Sequence, residues 1–120
     1  MTETSPDLQA LLRQLVHAHH AARQLGEHEA SFHLLAAAAH AAGSLADAGT
    51  LAEIAQLSRG ELAWLARNHP AHRMVTGATT PGHPSSFEQL AVTATAMRQR
   101  IEAGQVVNHA HARLHGTDEG

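Results

Sequence analysis

Apolar residues recur in this chain at steps of three and four, and no segment alternates apolar with polar positions as a half-buried, β-branched strand does. That periodicity restricts the fold to helices. A helix with one apolar stripe must bury it against another helix, so the expected architecture is a small all-α bundle. Four main helices are predicted. The first covers 6–25, with Ser5 capping free backbone N–H groups and Pro6 at the tolerated first position. Its stripe is Leu8, Leu11, Leu15, Ala18, Ala22 and Leu25, and Gly26 ends it because glycine reaches the left-handed cap geometry without a Cβ clash. The second covers 27–42 along Ser31, Leu34, Leu35, Ala38, Ala42 and Leu45, with Gly43 as its stop. The short connection at Gly26 makes these two an antiparallel hairpin.

The third helix, 50–68, opens on the capping-box pattern Thr50-Leu51-Ala52-Glu53. Ser58-Arg59-Gly60-Glu61 repeats that pattern, so a kink or break is expected near Gly60. Pro70 disfavours helix at His69. Residues 70–85 hold Pro70, Gly77, Pro81, Gly82 and Pro84 and read as a long loop suited to interactions. A helix over 86–103 follows on Phe87, Leu90, Ala94, Met97 and Ile101. Beyond Gly104, Val106, Val107, Ala110 and Leu114 suggest a short C-terminal helix or a continuation. Residues 1–5 and 116–120 are polar, frayed ends of one domain spanning 1–120. The core is Leu and Ala with few large side chains, which favours homo-oligomerisation.

Composition removes several function classes. Without cysteine there is no disulfide scaffold, thiolate zinc site or cysteine nucleophile. A formal charge of −3 argues against a nucleic-acid partner. No apolar run is long enough to span a bilayer and no signal peptide opens the chain, so a cytoplasmic location is expected. All eight basic residues are arginine. The unusual count is twelve histidines in 120 residues, which makes charge responsive between pH 5 and 7. Compositional bias accounts for them equally well.

Residues 15–57 resemble a tetratricopeptide-type helical hairpin and the start of another. Gly26 matches the turn glycine, Ser31 the small residue where the paired helices touch, and Ala38 the later small position. Gly43-Ser44-Leu45-Ala46-Asp47 is similar to the link between repeats. Leu35 takes the place of a bulkier residue, Leu15 and Ala22 replace aromatics, and Gly43 stands near where proline is expected. There is no second full copy at the ~34-residue period. The resemblance implies a protein-binding surface, and a generic helical hairpin accounts for the same residues. Thr50–Leu62 is also similar to a repressor-type helix-turn-helix, but it lacks the turn residues before Ser58 and carries Glu61 at the groove-facing start.

The histidines supply the candidate chemistry. His19 and His33 each lie seven residues from Gly26, so an antiparallel hairpin brings them to one height. Glu29 and Arg23 each lie three away and can pair across the turn. One carboxylate with imidazoles is a ligand set for zinc, nickel, copper or iron, making His19, Glu29 and His33 a candidate metal or proton site. A polar flank bordering the core explains the same residues. His17 with His20, and His111 with His115, are weaker pairs, and His69, His72 and His83 fall in or beside the loop. No repeated Glu-x-x-His, strand-borne serine or glycine-rich phosphate loop appears, so no enzymatic activity is expected. The sequence reading is a non-catalytic protein-interaction module acting on a protein partner or a second copy. The alternative is a His-rich metal-binding or pH-responsive protein.

Overall fold

A computed structural model describes residues 7–76 and 86–116, with side chains through Gln105. The expected cap at Ser5, the frayed ends, His83 and the side chains of Val106–His115 lie outside the described residues. Five helices follow in chain order: α1 (Asp7–Gln24), α2 (His28–Ser44), α3 (Ala48–Asn68), α4 (Arg73–Thr76) and α5 (Ser86–Gly116). The fold is an all-α bundle, as the periodicity predicts. α1 packs on α2 and α3 on α5, while α2 touches both α3 and α5 and is the central helix.

Both early turns have one geometry. After α1, Gly26 N–H donates to the Arg23 carbonyl and Glu27 N–H to that of Ala22; after α2, Ala46 N–H donates to Gly43 and Asp47 N–H to Ala42. This is the Schellman arrangement, which needs a left-handed residue at its turn. Gly26 supplies it at φ +78°, and Ala46 supplies it at φ +53°. The expected stop at Gly43 is therefore corrected: α2 runs through it, and the turning residue is an alanine three positions later. Gly43 serves a packing purpose, since a Cβ there would overlap the Met97 methyl of α5.

The predicted start of the third helix is corrected too. Asp47, not Thr50, is the cap, its carboxylate accepting from the Thr50 backbone N–H at 3.0 Å and the Thr50 hydroxyl at 2.7 Å. α3 then runs unbroken through Gly60, because the second capping-box pattern lies where packing of α3 on α5 holds the helix in register. α5 likewise continues through Gly104, which is exposed and costs a helix only about 1 kcal/mol relative to alanine. Within the expected 70–85 loop, Arg73–Thr76 form the short α4.

The inward positions of α1 are Leu8, Leu12, Leu15, His19 and Ala22; Leu8, Leu15 and Ala22 belong to the expected stripe, while Leu12 and His19 take the places given to Leu11 and Ala18. Leu11 and Leu25 are exposed at 45% and 78%. The main core joins Leu12, Leu35, Ala38, Ala42, Leu51, Ile54 and Leu90. A smaller cluster of Leu65, Met74 and Phe87 ties α4 and the start of α5 to the end of α3, with the Phe32 ring edge-on to Phe87 at 5.5 Å.

Candidate functional site

Between these two apolar clusters lies a polar layer. The inward steps of α3 read Leu51, Ile54, Ser58, Glu61, Leu65, and all five are fully buried. Ser58 and Glu61 thus occupy positions that the 3–4 spacing reserves for apolar side chains. α1 contributes His19 to the layer, and α2 contributes His28 and Ser31, all buried as well. The layer is bound together tightly. The Ser31 hydroxyl donates to Glu61, 2.8 and 2.7 Å from its two oxygens, and His28 Nδ1–H donates to Oε2 at 2.9 Å. His19 Nδ1 lies 3.1 Å from the Ser31 carbonyl oxygen, which can only accept, so Nδ1 carries the ring proton. The Ser31 Oγ, 3.0 Å from the same nitrogen, accepts part of that bond while passing its own proton toward Glu61.

Burying a carboxylate is costly unless donors surround it, and Glu61 has two, the Ser31 hydroxyl and His28 Nδ1–H. Its Oε1 is 3.9 Å from His19 Nε2. That nitrogen and the Ser58 hydroxyl are buried without a hydrogen-bond partner. Burial pushes the His19 imidazole below its ordinary value of 6.5, with the Ser31 carbonyl and Glu61 pulling partly the other way. A neutral His19 turns a lone pair toward Glu61; a protonated one turns a donor toward it.

Serine, histidine and glutamate together invite comparison with a nucleophilic triad, but the wiring differs. The serine donates directly to the carboxylate, whereas a triad serine gives its proton to the histidine. All three are fully buried, away from any substrate.

The proposed ligands do not meet. His19 is inward, while Glu29 and His33 are exposed. The reason is rotational: inward positions on α2 are 28, 31, 35 and 38, and His33 sits about 200° from Ser31 at 100° per residue. Equal height about Gly26 is not an equal face. Glu29 pairs with Arg73 of α4, not with Arg23, and His33 rests edge-on against Phe32 at 5.1 Å. Among the described residues no three His, Asp or Glu side chains are gathered to hold a metal ion. Sequence spacing singles out His19 and Ser31; it gives no site to Glu61 or His28. Their signal was a polar side chain recurring in the apolar register of each helix.

Two surface concavities flank this layer. One is a groove of about 510 Å³ between α1 and the start of α3, floored by Leu12 and Val16 and edged by Arg13 and His17 on one side, Asp47 and Glu53 on the other. The second is a cleft at the turn between α1 and α2, into which His28 reaches. No helix among the described residues is long and apolar enough to cross a membrane. No protein-family model matches the chain, and no curated protein or solved structure does.

Proposed function

We propose that the chain is a non-catalytic helical interaction module that receives a segment of a partner protein in the groove between α1 and α3. The observation that carries this reading is the groove itself, with an apolar floor and rims of opposite charge. An amphipathic helix lays its apolar face on such a floor, and the rims fix its direction. The hairpin resemblance of residues 15–57 supports the same reading.

A photo-crosslinking residue at Gln9, in the groove, tests it against one at Gln56, exposed outside it. Gln9 is expected to give one defined adduct, and Arg13→Glu to weaken binding of the purified partner about fivefold or more. Equal adduct patterns from both positions would refute the groove. An adduct of twice the chain's mass would make the partner a second copy.

The buried His19–Ser31–Glu61–His28 layer supports a second reading, a pH-responsive protein; the metal-binding version of that reading rests on the histidine content alone. Titration of chelator-stripped protein with zinc, nickel and copper separates the metal version. Saturable stabilisation at about one metal per protomer supports it, and an unsaturating response removes it.

A further inference from the structure

The cleft at the end of α1 has a volume of about 650 Å³ and is lined by His20, Arg23, Gln24, His28, Trp64, His69 and His72 around Gly26. That is the size of a small-molecule site. Three features of its lining point to one ligand chemistry.

The first is a continuous aromatic wall. His69 lies 5.5 Å from Trp64, Trp64 lies 5.4 Å from His28 at a tilt of 32°, and His28 lies 5.9 Å from His72. Its middle is rigid, because His28 is clamped from behind by Glu61. The second is charge. Among the described residues Arg23 is the one formally charged side chain on the lining, and no carboxylate among them lines the cleft. The third is donor supply. His72 Nδ1 accepts from the Met74 backbone N–H at 3.1 Å, which puts the ring proton of His72 on Nε2, and Gln24 adds an amide.

The same features argue against a metal ion. His72 already spends one ring nitrogen on the backbone, and the Trp64 indole stands between His69 and His28 in the wall. An uncharged apolar ligand would desolvate Arg23 without compensation.

We propose that this cleft binds a planar aromatic carboxylate, its ring against Trp64 and its carboxylate on Arg23. A guanidinium matches a carboxylate with two parallel N–H donors, and an indole face stacks on a flat ring. The cleft adjoins the groove assigned to a protein partner, with His20 on the border of both, but neither Arg23 nor Trp64 lines that groove. It therefore stands or falls on its own.

Trp64 is the only tryptophan in the chain, so its emission reports on this cleft alone. Benzoate is titrated into the full chain while Trp64 fluorescence is followed, with benzamide and cyclohexanecarboxylate as probes lacking the charge and the ring. Benzoate is expected to saturate with a Kd on the order of 1 mM, the range for so small a ligand. Benzamide and cyclohexanecarboxylate should each bind about tenfold more weakly. Arg23→Gln, checked for native helicity, should lower benzoate to the benzamide level and leave benzamide unchanged. Equal binding of benzoate and benzamide overturns the anion site, and equal binding of benzoate and cyclohexanecarboxylate overturns the stacking wall. No saturable change, or an Arg23→Gln variant that binds benzoate normally, overturns the proposal outright. Saturation of the Trp64 signal by one equivalent of zinc, with benzoate silent, replaces it with a metal site.

Discussion

Gly26 and Ala46 close the same turn, so exchanging their side chains should produce opposite effects of similar size. Ala46 holds φ at +53°, where an L-residue carries a Cβ against the neighbouring carbonyl at a cost of roughly 1–2 kcal/mol. Ala46→Gly removes that cost but adds roughly 0.4–1 kcal/mol of unfolded-chain freedom. The net expectation is stabilisation by about 0.5–1 kcal/mol. Gly26→Ala reverses the argument at φ +78°, and a Cβ there meets nothing within 4 Å, so its cost is conformational alone. It should destabilise by about the same amount. For a chain of this length the shift in Tm is about 2–5 °C in each direction. Urea unfolding should move the midpoint without changing the slope, and the double variant should lie near the parent. A lower midpoint for Ala46→Gly, or an unaltered one for Gly26→Ala, would refute the assignment of both turns to one geometry.

Three further outcomes follow from the polar layer and the cap. Glu61→Ala strips the acceptor from Ser31 and His28 together and should cost about 2–4 kcal/mol in urea unfolding, with Glu61→Gln costing less than half of that; a loss under about 0.5 kcal/mol would mean the layer contributes little. His19 is held below its ordinary value by burial, so the unfolded chain binds its proton first; stability from this group is full above about pH 6.5 and declines as pH falls toward the folded value. His19→Asn should flatten that slope between pH 6.5 and 5, and an unchanged slope would remove His19 as its source. The Asp47 carboxyl is lowered by the Thr50 hydroxyl and then by the Thr50 N–H, so its contribution is full above about pH 3.8 and lost in stronger acid. Asp47→Ala should cost about 1 kcal/mol at pH 7 and progressively less as the pH falls below 3.8, as read by thermal unfolding across that range.

The candidate site was only half legible. His19 and Ser31 stood out, the first by symmetry about Gly26 and the second as a small residue at a helix contact. His33 and Glu29 shared that symmetry but not the face, because equal distance from a turn fixes height along a helix and says nothing of rotation around it. In sequence, Glu61 completes a capping-box pattern beside Gly60 and so marks a helix start. It is instead the hub of a buried layer that joins three helices, and its partners His28 and Ser31 are 33 and 30 residues away in sequence.

The sequence by itself determined that this chain is helical, where α1, α2 and α3 lie to within a few residues, and that Gly26 turns the first pair. Those follow from local causes: the 3–4 apolar period, helix propensity and the left-handed freedom of glycine. Only the tertiary structure decided which glycines do not interrupt a helix. Gly43 and Gly60 lie inside continuous helices because neighbouring packing outweighs the roughly 1 kcal/mol that glycine costs there. It also decided that an alanine takes the left-handed turn after α2, and that five polar side chains fill inward positions between two apolar clusters. Which residues meet across helices depends on the angle each helix presents to the others, and that angle is set by the packed whole.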